Sequence, residues 1–269
     1  MVTSPRRCCH PRLFLSRHLT ETTSRRYGRF VPRVHVAGTD ECTDLAVRVV
    51  LEALEDPHPL IGLATGRSTA LLHERLVSSH RSGQTDLGRA TWVMLDEYLD
   101  IPQSDPRSFR NQLCRDFDGI FDAGSTRLIG PDLGLHDPSA ICADFRSATA
   151  GVAPHVQLLG IGRNGHVGFN EPGSKADSRT RVVTLSATTL ADLDPAVWPG
   201  PDRPTRAVTR GVADIAEART IVLLAFGTAK AEAVASVLTG PVTTACPASL
   251  LRDHPDLRVF VDEAAASLL

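Results

Sequence analysis

Lysine is almost absent from this chain of 269 residues. It occurs only at Lys175 and Lys230, and every other member of the 29 Lys and Arg is arginine. An ammonium is a compact charge on a flexible stem and differs chemically from a planar guanidinium, so both lysines invite inspection. A strong net charge is also missing. The formal value is -2 at pH 7, which gives no global bias toward nucleic acid or an anionic membrane and leaves a small anion to local donors. No apolar run reaches the roughly 18 residues of a membrane-spanning helix. Metal-binding cysteine patterns are missing as well. Cys8, Cys9, Cys42, Cys114, Cys142 and Cys246 form no C-x-x-C, and no Cys/His set has zinc-ligand spacing. Scattered cysteines of this kind fit a reducing cytoplasm, which is the expected location.

Residues 1–30 differ in texture from the rest. Arg6, Arg7, Arg12, Arg17, Arg25, Arg26 and Arg29 face a single acid, Glu21. The segment has no long apolar core, so it is not a secretory signal; an acid-poor, Arg-bearing start is compatible with a transit peptide, and the plainer reading is a disordered basic extension. From residue 31 to 269 a single α/β domain is expected, with no repeat and no linker.

Within that domain short apolar strands alternate with helices. Strands are predicted at Val34 to Ala37, Leu60 to Ala64, Trp92 to Leu95, Val156 to Ile161, Ile221 to Phe226 and Leu257 to Val261. Arg181 to Leu185 and Arg206 to Thr209 read as short extended segments. Helices are expected after Asp40 (as cap), from Ala70, over Ser108 to Phe117 and over Ala229 to Leu238. The strands are apolar throughout instead of alternating, the signature of a doubly wound, mostly parallel sheet with helices on both faces, a Rossmann-like three-layer sandwich. In such sheets a ligand sits beyond the carboxyl ends of the strands. The polar residues of this sequence gather at those ends.

Four stretches carry candidate chemistry. Thr65, Gly66, Arg67 and Ser68 follow a strand and open a helix, the arrangement in which backbone N–H groups and the helix dipole receive an anion. The spacing of a Walker P-loop is absent. Asp96 and Glu97 end another strand; adjacent acids there point different ways, so one carboxylate is available as a general base. The stretch from Gly160 to Ser174 packs Asn164, His166 and Glu171 into a glycine-rich loop. His166 is the natural acid–base group near neutral pH, and Glu171 can orient it. Its G-x-G-x-x-G spacing is a poor dinucleotide fingerprint, because Asn170, Glu171 and Pro172 interrupt any helix. Finally Lys230 opens a helix after a strand, where an ammonium can reach a phosphate.

Taken in order, these pieces resemble the glucosamine-6-phosphate deaminase/isomerase family, which is related to 6-phosphogluconolactonase. The similarity runs from about Val34 to Leu269. It is carried by Gly-Leu-Ala-Thr-Gly at 62–66, Leu-Asp-Glu-Tyr at 95–98, Gly-His-Val-Gly-Phe-Asn-Glu-Pro-Gly at 165–173, Ala-Val-Thr at 207–209, Gly-Thr-Ala-Lys at 227–230 and Pro-Ala-Ser-Leu-Leu-Arg-Asp-His at 247–254. Phe169-Asn170-Glu171-Pro172 is the deaminase form of the loop; the lactonases typically carry a Ser-Leu-Phe-Pro type sequence there. The resemblance implies a hydrolase or isomerase of amino-sugar catabolism that converts glucosamine 6-phosphate to fructose 6-phosphate and ammonia. It implies Asp96 as the base between C2 and C1. His166, oriented by Glu171 and Asn164, would open the sugar ring, and Lys230 with the 65–68 loop would hold the phosphate. It implies no metal, no redox cofactor, and a monomer or a homo-oligomer.

Three departures qualify that expectation. Asn164 stands where the family often has Asp, so less negative charge lies beside His166. Pro195 stands where the family's second phosphate-binding Arg is expected, and Arg67, or else Arg203, Arg206 or Arg210, is expected to take that contact. The segment from Pro195 to Pro204 is proline-rich where the family usually has aromatics. A related enzyme acting on galactosamine 6-phosphate or 6-phosphogluconolactone, and a non-catalytic sugar-phosphate-binding regulator, remain the alternatives.

Overall fold

The computed structural model describes residues 25–26, 29–117, 119–121, 127–151 and 153–269. The expectation of disorder over residues 1–30 falls largely outside them. Of that segment, β1 (Arg25–Arg26) and β2 (Arg29–Phe30) pair antiparallel as a small ribbon.

The chain then runs through β3 (Arg33–Val36), α1 (Thr39–Ala53), β4 (Leu60–Leu63), α2 (Arg67–Arg81), β5 (Thr91–Met94), β6 (Asp96–Tyr98), α3 (Phe109–Asp116), β7 (Leu128–Ile129) and α4 (Pro138–Ala148). It continues through β8 (Val156–Gly160), β9 (Arg181–Thr184), α5 (Ala187–Asp192), β10 (Arg206–Thr209), α6 (Val212–Ala216), β11 (Thr220–Ala225), α7 (Ala231–Leu238) and β12 (Leu257–Val261). Seven strands form one sheet in the order β3-β12-β11-β8-β4-β5-β7, and each neighbouring pair is parallel.

The uniformly apolar strands serve two cores. In β11, Val222 and Leu224 face α1 and α2, whereas Ile221, Leu223 and Ala225 face α6 and α7. In β8, Val156 and Leu158 turn one way and Leu159 the other. Alternate side chains enter opposite faces of a strand, so a sheet covered on both sides needs apolar residues at every position.

Sequence reasoning missed a second layer. Asp96–Tyr98, Arg206–Thr209 and Arg181–Thr184 form a three-stranded antiparallel sheet in the order β6-β10-β9. The two extended segments at 181 and 206 belong to it. Two helix starts also move. The N-cap of α1 is Gly38, and Asp40 lies inside the first turn, where its carboxylate meets the helix dipole and pairs with Arg75 of α2. Arg67, Ser68 and Thr69 are already helical, so the expected turn is the first turn of α2.

From β4 the chain steps outward to β5 and β7; from β8 it steps the other way to β11 and β12. The reversal falls between β4 and β8, and the crevice outside their carboxyl ends is the place where sheets of this type bind ligands.

Candidate active site

A cavity of about 300 Å³ opens over that crevice. Thr65, Gly66, Arg67, Ser68, Asp96, His166 and Lys230 all line it. The structure thus brings together residues that lie up to 165 positions apart in the chain, a separation read from Thr65 and Lys230. Lys175, the other lysine, is exposed and does not line it.

One end of the cavity is cationic. Gly66 is the N-cap of α2 and offers no side-chain acceptor, and no acidic residue stands in the first turn. The helix start therefore presents unopposed N–H dipoles to the cavity. Lys230, the N-cap of α7, comes from the loop after β11. Burial pushes its ammonium below the ordinary lysine range; Arg67 and Arg163 push the same way and Asp192 opposes them. A half-buried ammonium beside like charges is stabilised by an added anion.

The other expected arginines are committed elsewhere. Arg206 grips Asp100 through Nε and Nη2 at 2.9 and 2.7 Å. Arg203 donates to the carbonyl of Trp198. Arg210 is 3% exposed and donates to Gln157 Oε1 and the carbonyl of Asp214. Of the four arginines considered, Arg67 alone lines the cavity.

Asp96 lines the same cavity. It pairs through β6 with Thr209 of β10, and 6% of it is exposed. Burial, with Glu97 as a lesser cause, raises its carboxyl well above the usual aspartate range. Gly168, at φ 56°, lets the His166 loop pass over it; a Cβ there would meet Thr209 Oγ1 at 3.0 Å and Asp96 Oδ2 at 3.2 Å. Glu97 turns the other way. Its carboxylate accepts from the N–H groups of Phe109 and Arg110, each at 2.9 Å, and so holds the start of α3. Burial raises Glu97 and these bonds pull it back. Only one of the adjacent acids serves the cavity.

His166 lies on the glycine-rich loop after β8. Its ring packs directly over Gly162, where any Cβ would fall inside the imidazole. Asn164 Oδ1 accepts from the backbone N–H of His166 at 3.2 Å and from its Nδ1–H at 2.7 Å. Asn164 Nδ2 donates to Glu171 Oε2 at 3.0 Å. The amide therefore has its oxygen toward two donors and its nitrogen toward a carboxylate, which leaves Nε2 of His166 as the nitrogen with a free lone pair. Burial works against ionisation of Glu171, yet bonds from His166, Thr189 and Asn164 outweigh it and hold the carboxyl at about 2. Thr189, on α5, was not anticipated as part of this set. It donates to Glu171 Oε1, and no motif in the sequence marks it.

Part of the lining is apolar. Tyr98, Phe109 and Phe169 line the cavity, and Trp198 of the proline-rich segment packs edge-on against Tyr98 at 5.3 Å between ring centroids. That segment supplies an aromatic after all, clamped from outside by the Arg107 guanidinium 4.1 Å above the Trp198 ring. Among the described residues no group of three or more His, Cys, Asp or Glu is placed to hold a metal. No helix among them is long and apolar enough to cross a membrane.

A doubly wound sheet with an anion trap and an acid–base pair over its switch point defines an α/β protein that works on small anionic ligands. Within that class, the chain belongs to the glucosamine-6-phosphate isomerase/6-phosphogluconolactonase family, whose model matches residues 37–259. It is 41% identical over 216 residues to the glucosamine-6-phosphate deaminase of Streptomyces avermitilis, covering 79% of this chain and 82% of that one. The glucosamine-6-phosphate deaminase of Pseudarthrobacter chlorophenolicus is 38% identical over 238 residues, 88% of this chain and 92% of its own. A solved structure described as a monomeric glucosamine-6-phosphate deaminase superposes with a TM-score of 0.83 at 34% identity, covering 88% of this chain and all of that one. The 6-phosphogluconolactonase of Leishmania guyanensis, at 20% identity and a TM-score of 0.71 over 88% of this chain and 98% of its own, shares the fold.

Two outcomes are expected of this geometry. A carboxyl whose pKa is raised on folding stabilises the fold while protonated and opposes it once ionised. Asp96→Asn should therefore raise Tm relative to wild type, with a gain that grows as pH climbs above the ordinary aspartate value of about 4 and levels off above the folded-state pKa. A lower Tm at neutral pH would contradict the buried, unpaired carboxylate. Asn164→Asp adds negative charge beside His166, so the acid limb of its pH–rate profile should move to higher pH; an unmoved limb would remove Asn164 from the proton path.

Proposed function

We propose that the protein deaminates and isomerises glucosamine 6-phosphate, giving fructose 6-phosphate and ammonia. The observation that carries this reading is the presence, in one small cavity, of a buried carboxylate at Asp96 that has no hydrogen-bond donor among the described residues and of the cations Lys230 and Arg67. Binding alone has no use for the first, and an uncharged substrate has none for the second.

The chemistry follows from the placement. Lys230, Arg67, the hydroxyls of Thr65 and Ser68 and the N–H groups at the start of α2 hold the phosphate. His166 Nε2 takes the proton of the anomeric hydroxyl and returns one to the ring oxygen, which opens the pyranose to the aldehyde. The imidazolium formed on the way is stabilised through Asn164 by the Glu171 carboxylate. Asp96 then removes the C2 proton, and the electron pair passes to C1–C2 as the aldehyde oxygen gains a proton, giving an enolamine. Returning the proton to C1 leaves an iminium at C2. Water adds there and ammonia departs, leaving the C2 ketone. The hydrolase description rests on that last water. A carboxyl raised by burial is a stronger base than an exposed aspartate, which suits removal of a carbon-bound proton near neutral pH. The single-domain reading of residues 31–269, the cytoplasmic location and the absence of a cofactor are part of the same proposal, supported by the unbroken sheet and the sufficiency of acid–base groups for the reaction.

Purified protein supplied with glucosamine 6-phosphate should release fructose 6-phosphate and ammonia in equal amounts. Lys230→Ala should raise KM by about tenfold or more, the scale of a lost charge-assisted bond to phosphate. Hydrolysis of a phosphogluconolactone without ammonia release from the amino sugar would reverse the assignment.

A further inference from the structure

Besides Asp96, one other carboxylate lines the cavity. Asp192, the last residue of α5, faces the same space as Lys230 and Arg67. A carboxylate at a phosphate-binding end has the wrong sign: left alone it would repel the ligand. It is not alone. Arg163, which directly precedes Asn164 in the loop after β8, engages both of its oxygens, Nη2 on Oδ1 and Nε on Oδ2 at 3.2 Å. The two side chains are 50% and 34% exposed, and of the two only Asp192 lines the cavity; an ion pair this exposed is weakly held. A guanidinium binds a phosphate dianion through the same two-pronged geometry, with more charge to meet it. Arg163 thus stands one ion pair away from the cavity, with a weakly held partner, and a better partner would lie within the cavity.

We propose that Arg163 is a third phosphate-binding cation, held by Asp192 in the free protein and taken over by the substrate phosphate when it enters. Asp192 then sets the charge the site demands. A dianionic phosphate ester can displace it, whereas a neutral amino sugar or a monoanion gains little by doing so. Arg163 also supplies, from the loop after β8, the positive charge that Pro195 does not supply from the segment after α5. The influence of Arg163 on the Lys230 ammonium supports the same grouping, since both cations act on one small volume.

The inference rests on the reading of the cavity as a sugar-phosphate site, and the test separates the two. Inorganic phosphate binding by calorimetry and steady-state kinetics with glucosamine 6-phosphate are measured for wild type, Arg163→Gln, Arg163→Lys and Asp192→Asn. Arg163→Gln should weaken phosphate binding and raise KM by about tenfold while kcat stays within about twofold, the pattern of a contact made equally in ground and transition states. Arg163→Lys should recover part of the loss. Asp192→Asn should tighten phosphate binding severalfold. Unchanged phosphate affinity and KM in Arg163→Gln would overturn the proposal. A fall in kcat at unchanged KM would also overturn it, because Arg163 would then act only by positioning Asn164. Asp192→Asn binding phosphate no better than wild type would overturn the role of Asp192. Wild-type protein that binds phosphate but does not turn over the amino sugar would instead defeat the functional reading, and the phosphate affinities alone would still decide the role of Arg163.

Discussion

Asp96 holds a carboxyl group in a wall where water scarcely reaches and no side chain or N–H group among the described residues donates to it. Such a group is costly to ionise, and the surrounding structure fixes it in that state of readiness. The antiparallel pairing of β6 with β10 locks its backbone. Glu97, the next residue, is turned away to hold the start of α3, so that the two acids do not share the cavity. Gly168 lets the loop that carries His166 close over Asp96 where a Cβ would crowd it. Together these contacts keep water and partners from the carboxyl, which is what the proposed role of Asp96 as a base requires.

The cavity brings unlike groups together. Lys230 and Arg67 stand at the starts of α7 and α2, with Asp192 as a counter-charge. Tyr98, Phe109 and Phe169 make part of the wall apolar. His166 is tied through a neutral amide to a carboxylate held at about 2. Asn164 transmits orientation and polarisation without adding charge of its own. A sugar phosphate in this cavity would find groups suited to its anion, its anomeric end and its carbon skeleton, and the parallel sheet makes the grouping possible by delivering four loops to one edge.

Much of this was legible in the sequence, for definite reasons. Apolar strands at every position foretold a sheet covered on both faces, and the polar clusters at their ends foretold the cavity. The scarcity of lysine drew attention to Lys230. What escaped notice was what depends on distant pairing. Asp96–Tyr98 is too short to show any periodicity, so the antiparallel layer it forms with β9 and β10 could not be read, nor could the consequence that Arg206 and Arg210 are spent on Asp100 and Gln157. Thr189 and Asp192 lie on a helix of six residues, where local pattern says nothing of the neighbours met in space. Arg163 looked like a loop residue until Asp192 was found across from it.

The most direct test follows the hydrogen at C2. Glucosamine 6-phosphate carrying deuterium at C2, converted in ordinary water, would place a measurable fraction of the label at C1 of fructose 6-phosphate, because a single carboxyl shielded from solvent removes the hydrogen and returns it. Complete loss of the label to water would contradict a buried Asp96 as the base.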